Sequence, residues 1–118
     1  MSKPSILDPE AIANLRALSP DDGGAFVKEI LSIFLDDTQT RLADLRAGRD
    51  TGDTASFMRA AHSVKGSSSN VGAAELRDAA EKLEHQVKQH GLADTAALLA
   101  EVEAAFARVE PELRKLLA

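Results

Sequence analysis

Residues 61–66 read Ala61-His62-Ser63-Val64-Lys65-Gly66, and the run continues as Ser67-Ser68-Ser69-Asn70-Val71-Gly72-Ala73. Set on a helix turning roughly 100° per residue, with Phe57 at zero, Ala61, Val64 and Ser68 fall within about 40° of it and mark an inward face. His62 then stands at about 140° and Gly66 at about 180°, on the outer face, with Met58 at about 100°, Lys65 at about 80° and Ser69 at about 120°. The result is an exposed imidazole in a small patch of mixed apolar, basic and hydroxyl character. Glycine in a helix interior costs roughly 1 kcal/mol relative to alanine, so Gly66 calls for a reason. One reason is access: residues four apart stack on one face, so bare backbone beside His62 admits a bulky charged partner, with Lys65 within reach of the same spot. The other reading is that Gly66 ends the helix and Ser67 to Asn70 form a loop.

Outward from this segment the chain reads as helices, with no strand pattern. Asp8-Pro9-Glu10 pairs a cap with proline at the first helical position, opening a short helix that carries Ile12 and Leu15 and stops near Ser19-Pro20. Asp21 or Asp22 caps a long second segment in which Phe26, Ile30, Phe34, Leu42 and Leu45 share a stripe that Val27, Leu31 and Leu35 widen. Gly48 to Gly52 reads as the turn into the third helix, which starts near Asp53 and frays near Asn70-Val71-Gly72. A fourth helix runs from about Ala73 to His90 on Leu76, Ala80, Leu83 and Val87, with Gly91 as the left-handed residue beyond its end. Asp94 caps a fifth, lined by Leu98, Val102, Ala105 or Phe106, Val109 and Leu113, in which Pro111 introduces a kink or a new start. Four long helices joined by short turns predict an all-α fold, an antiparallel up-and-down four-helix bundle with a short additional N-terminal helix, and residues 1–118 forming one domain.

The composition of the 118 residues agrees. Apolar residues make up 44%, enough for one continuous core, but aromatics only 3%, so that core is built from Leu, Ala, Val, Ile and four Phe. The absence of cysteine excludes disulfides and thiolate metal sites. No apolar run is long enough for a signal peptide or a membrane span, which predicts a cytoplasmic protein with no membrane partner. A net charge of −5 argues against nucleic acid, whose phosphates demand clustered Lys and Arg. The charge is uneven: no acidic residue occurs from Thr54 to Ala74, whereas Arg59 and Lys65 both lie there.

The run from Ala61 to Ala73, followed by Leu76 and Leu83-Glu84, resembles the signature of histidine-containing phosphotransfer (HPt) domains of two-component phosphorelays. The resemblance extends from about Leu7 to the last helix. It implies that His62 accepts a phosphoryl group from a receiver-domain aspartate and passes it to another receiver, that Lys65 lies near the phosphoryl oxygens, and that Gly66 is the glycine of the motif. By its separation from His62, Glu84 matches the position at which the family places a Gln or Glu bonded to the histidine ring. The implied partners are response-regulator receiver domains and a hybrid sensor histidine kinase. The implied magnesium ion belongs to the receiver, so this chain needs no cofactor or metal of its own and acts as a phosphocarrier more than an enzyme.

The residues make the same chemistry intelligible. A neutral imidazole is a nitrogen nucleophile near physiological pH, provided that the proton sits on its other nitrogen. A carboxylate accepting that N–H fixes the tautomer. On the fourth helix, with Leu76 at zero, Glu84 falls at about 80°, on the edge toward the third helix, while Glu81 and His85 lie further out. The competing reading of Glu84 is a solvent-edge carboxylate paired with Lys88 four residues on. Lys65 would offset charge on a transferring phosphoryl group. Gly66 and the small serines from Ser67 to Ser69 would let a receiver approach, unless those serines merely cap a fraying helix. The docking footprint is expected on Met58, Lys65, Gly66 and Ser69 around His62, extending toward the first helix. No Gly-rich phosphate loop exists, so phosphorylation from ATP is not expected. The Met1 start and the lack of a flanking linker point to a free-standing protein, and stripes that one bundle can bury point to a monomer. Two rivals stand beside this reading: an HPt-like docking module without chemistry, and a metal-binding bundle using His62, His85, His90 and Glu81 or Glu84. The second is weak, because no Glu-x-x-His occurs and Glu81 with His85 faces outward.

Overall fold

A computed structural model describes residues 5–118. Five helices follow one another: α1 (Pro9–Ala17), α2 (Ala25–Thr51), α3 (Thr54–Val71), α4 (Ala74–His90) and α5 (Ala96–Leu117). Among the described residues there is no strand. Helices α2 to α5 pack in a ring, each against the next and α5 back against α2, while α1 lies across α2 and α3. The direction of α5 along α2 follows from two cross-links: Arg46 Nε donates to Glu103 at 3.0 Å and Gln39 Nε2 reaches Glu110 at 3.4 Å. As one number falls the other rises, so these helices are antiparallel.

The core contains Leu31, Phe34, Leu45, Phe57, Val64, Leu76, Leu83, Val102, Val109 and Leu113, contributed by all four bundle helices and sealed at one end by Ile12 of α1. The inward face expected for α3 is correct, since Phe57, Ala61, Val64 and Ser68 are all buried. On α2 the stripe is rotated from the expected one. Its centre is Val27, Leu31, Leu35 and Thr38, together with Phe34 and Leu45, and Phe26, Ile30 and Leu42 are its partly exposed margin. The cause is that α2 meets three neighbours, α1, α3 and α5, so its deepest line lies between them and not at the most apolar face.

Capping at the helix ends follows some of the local signals and departs from others. Asp8 accepts from the Glu10 N–H at 3.0 Å with Pro9 behind it, and Asp53 accepts from the Ser56 N–H at 3.1 Å. Asp22 caps α2 from two residues before its formal N-cap, accepting from the N–H groups of Gly24 and Phe26, both at 2.9 Å. Those bonds hold its carboxyl below the ordinary aspartate value. Asp94, in contrast, does not cap α5: it occupies a left-handed conformation at φ 58°, and the N-cap is Thr95, whose hydroxyl donates to the Leu92 carbonyl at 2.8 Å. Gly91 has φ 68° with ψ −151°, outside the left-handed helical well expected for it. Pro111 lies inside a continuous α5.

Two glycines hold the bundle close. Gly48 is not a turn residue but part of α2, which runs on to Thr51; a Cβ there would stand 3.2 Å from both the Cβ and the backbone nitrogen of Phe57. The bare backbone at this position lets α2 and α3 approach closely near their junction, where a Cβ would force Phe57 back by a few tenths of an ångström. Gly72, at φ 78°, ends α3, and a Cβ on it would meet the Ala11 Cβ at 2.5 Å and the Asp8 carbonyl at 3.0 Å. The N-terminal segment is pinned over the same corner. The Asp8 N–H donates to the Gly72 carbonyl at 2.7 Å and the Glu75 N–H to the Ser5 carbonyl at 2.9 Å, satisfying a donor at the uncapped start of α4. Thus α1 is anchored beyond the C-terminal end of α3, ten residues or roughly 15 Å along the helix from His62.

Candidate functional site

Helix α3 continues past Gly66 without interruption to Val71, which settles the two readings of that glycine: it is a helix-interior residue. Ser67 to Asn70 are therefore helical, not loop, and Ser68 is fully buried with no hydrogen-bond partner for its hydroxyl among the described residues. Because Phe57, Ala61 and Val64 turn inward, His62 turns out, and its side chain is 70% exposed.

Across from it α4 presents Glu84, on the edge toward α3 that its helical position predicts. The competing solvent-edge reading fails, because Glu84 is buried, with only 10% of its side chain accessible, beneath the Lys65 and His62 side chains. A buried carboxylate is tolerated when both oxygens are paired. Glu84 Oε1 accepts from Lys65 Nζ at 2.7 Å, and Oε2 lies 2.6 Å from His62 Nδ1. Lys88 makes no ion pair among the described residues, so the alternative pairing for Glu84 does not occur. Burial by itself pushes the Glu84 carboxyl up, but the hydrogen bonds from Lys65 and His62 and their positive charge outweigh it and hold the group below the usual glutamate range.

A carboxylate only accepts, so the proton in the His62–Glu84 contact belongs to Nδ1. The other ring nitrogen, Nε2, is then left with its lone pair on the exposed side of an imidazole held in one tautomer. Lys65, three-quarters buried, is committed to Glu84 and thereby helps to hold that carboxylate under the ring. These three residues form one linked unit, His62–Glu84–Lys65.

Side chains on a helix lean toward its N-terminus, so the imidazole lies over the preceding turn. There it borders a shallow cleft of about 600 Å³ lined by Met58, Arg59 and Ser63 of α3 and by Glu84 and Lys88 of α4. Of the residues expected in the docking patch, Met58 shares this cleft with His62. Gly66 and Ser69 lie on the opposite, C-terminal side of the ring; Gly66 is exposed, with nothing within 4 Å of where a Cβ would stand, and the Ser69 hydroxyl donates to the Lys65 carbonyl at 3.2 Å. Arg59, Ser63 and Lys88 join the site from positions that the motif does not mark, although Arg59 lies one turn before His62 and Lys88 one turn after Glu84. Among the described residues no three His, Cys, Asp or Glu side chains converge as a metal site would require.

The lowered Glu84 carboxyl carries a stability prediction. A carboxyl lower in the folded than in the unfolded chain contributes stability above its ordinary value of about 4.3, and the contribution is lost as pH falls through the lower folded value. Glu84→Gln is expected to lower the unfolding free energy at pH 7 by about 1–2 kcal/mol, hydrogen bonds to charged groups being worth somewhat more than neutral ones. The gap between parent and variant should close as the pH is taken below 4. Urea unfolding at several pH values tests this, and a gap that is constant from pH 7 to pH 3 contradicts it.

The sequence model of the Hpt domain family matches residues 29–112 of the chain. Histidine-containing phosphotransfer protein 2 of Arabidopsis thaliana is 32% identical over 71 residues, which cover 58% of this chain and 46% of that protein. The match thus spans somewhat under half of this curated relative's length. Among solved structures, histidine-containing phosphotransfer protein B from Pseudomonas aeruginosa PAO1 superposes with a TM-score of 0.85 at 30% identity, covering 95% of this chain and 94% of that one. A putative histidine-containing phosphotransfer protein from rice, at 22% identity, has a TM-score of 0.84 over 96% of this chain and 80% of that one, and shows the shared fold alone.

Proposed function

Because this chain belongs to the Hpt domain family, we propose that it is a phosphorelay intermediate whose His62 takes a phosphoryl group from the aspartate of one receiver domain and gives it to that of another. The observation that carries the proposal is the 2.6 Å contact of His62 Nδ1 with a buried Glu84 beneath a ring that is 70% exposed. It leaves one nucleophilic nitrogen, aimed at solvent.

In the forward step the Nε2 lone pair attacks phosphorus of the aspartyl phosphate. The P–O bond to the aspartate breaks with its electrons going to the carboxylate, and an Nε2–P bond forms. The Nδ1 proton stays where it is, so the ring becomes a cation in direct contact with the Glu84 carboxylate. That contact favours the phosphorylated ring without removing a proton, which suits a group that must later be given back. Metal chemistry enters through the receiver, whose magnesium ion would neutralise the phosphoryl oxygens during transfer. This chain supplies the nucleophile and its tautomer, and the receiver most of the catalysis.

The partners on this reading are response-regulator receiver domains and, upstream, a hybrid sensor histidine kinase, with the chain acting as a monomer in the cytoplasm. No helix among the described residues is long and apolar enough to cross a membrane. The test is to incubate the protein with a panel of receivers carrying radiolabelled aspartyl phosphate. Label should pass to this chain from some receivers within seconds to minutes and should return to unlabelled ones. A chain that takes label from none of them would not be a phosphorelay intermediate.

A further inference from the structure

The cleft before His62 holds two cations that the His62–Glu84–Lys65 unit does not use. Arg41, Arg46, Arg77, Arg108 and Arg114 each sit on a carboxylate, whereas Arg16 and Arg49, which do not line the cleft, form no ion pair among the described residues. Arg59 and Lys88 make no ion pair among the described residues, although both are exposed beside the same cleft as His62. No acid occurs between Thr54 and Ala74, the carboxylate that α4 turns toward this cleft, Glu84, is already bound on both oxygens, and Asp44 of α2, which shares the adjoining cleft with Arg59, is bound by Arg41. Arg59 precedes His62 by one turn on α3, and Lys88 faces that same turn from α4, because α3 and α4 are antiparallel and Glu84 stands opposite His62. The imidazole borders this cleft, while Lys65 is held on the far oxygen of the Glu84 carboxylate.

Resting on the phosphocarrier reading, we propose that Arg59 and Lys88 form the anion site that holds the phosphoryl oxygens of phosphorylated His62, while Lys65 remains a positioning residue bound to Glu84. The phosphoryl group brings nearly two negative charges onto Nε2. On the N-terminal side of the ring it meets two unpaired cations. To be met by Lys65 it would have to draw that side chain off a buried carboxylate, leaving Glu84 with one partner fewer. Arginine also suits the task because its planar fork can take two oxygens at once.

The experiment uses the whole protein and a small donor, so that receiver docking plays no part. Phosphoramidate delivers its phosphoryl group to the ring: its P–N bond breaks, ammonia leaves with the electron pair, and the Nε2–P bond forms. The second ionisation of the bound phosphoryl group is then followed by ³¹P NMR in the parent, in Arg59→Gln with Lys88→Gln, and in Lys65→Gln. Removing both cations should move the ionisation upward by about half a pH unit or more, since nearby positive charge favours the dianion, and Arg59→Lys with Lys88 intact should restore most of it. Lys65→Gln should leave it within about a tenth of a unit, a smaller effect than that of adjacent charge. If the double variant titrates like the parent and Lys65→Gln shifts instead, Lys65 leaves Glu84 for the phosphate and the assignment is wrong. A parent chain that shows no ring-bound phosphorus signal overturns the phosphocarrier reading itself, and this assignment with it. Arg59 and Lys88 are exposed, and even the three-quarters-buried Lys65 contributes to a single bond at the bundle edge, so the helical circular dichroism should be unchanged.

Discussion

His62→Gln is expected to abolish phosphoryl uptake while leaving the bundle folded. Glutamine has no nitrogen lone pair able to attack phosphorus, and nothing else in the chain can take over. His85 and His90 are exposed on the last turns of α4; the ring of His85 contacts Gln89, and neither has a buried carboxylate under its ring. The cost to stability should be small. With 70% of its side chain in solvent His62 contributes little to packing, and Glu84 keeps its bond to Lys65. The loss of activity should therefore be complete at an unchanged melting midpoint. In the parent the label should be lost in acid and kept in alkali, as a phosphorus–nitrogen bond requires. Label retained by the variant would place the acceptor elsewhere and undo the functional reading.

Much of this arrangement was legible in the sequence because it depends on contacts within one helix. Periodicity alone turned Phe57, Ala61 and Val64 inward and His62 outward, and cap chemistry placed the starts of α1 and α3 at Asp8 and Asp53. What the sequence hid belongs to pairs of helices. Glu84 falls at the margin of the apolar face of α4, and whether a margin is wet or dry depends on the neighbour: here Lys65 and His62 cover it. The same holds for Gly48, which reads as a turn signal until the approach of Phe57 explains it, and for the stripe on α2, whose centre is set by three flanking helices. Asp94 misled for a local reason. Aspartate is favoured both at helix caps and in the left-handed conformation, and the chain uses the second property. The unpaired state of Arg59 and Lys88 was half visible, in a stretch without acids, but only the fold shows that Glu84 is already fully bound.

Gly66→Gln should give a protein at least as helical as the parent that accepts phosphate from receivers poorly. The stability half of this follows from the local geometry: Gly66 is inside α3, has no heavy atom beyond its chain neighbours and the local helix backbone within 4 Å of a built Cβ, and faces solvent. A side chain there clashes with nothing, and replacing glycine by a better helix former contributes up to about 1 kcal/mol. The functional half follows from direction. A side chain at position 66 leans back along α3, over the turn that begins at His62, and so fills the open space on the C-terminal side of the imidazole that an approaching receiver would occupy. A receiver aspartate displaced by an ångström or so should lose roughly tenfold to a hundredfold in transfer rate. Phosphoramidate, which needs no docking surface, should label the variant nearly as fast as the parent, and this comparison separates a blocked approach from a damaged nucleophile. Parental rates with receivers would show that the bare backbone at Gly66 has no part in docking. Equal slowing with both donors would instead mean that the new side chain disturbs the ring or its bond to Glu84.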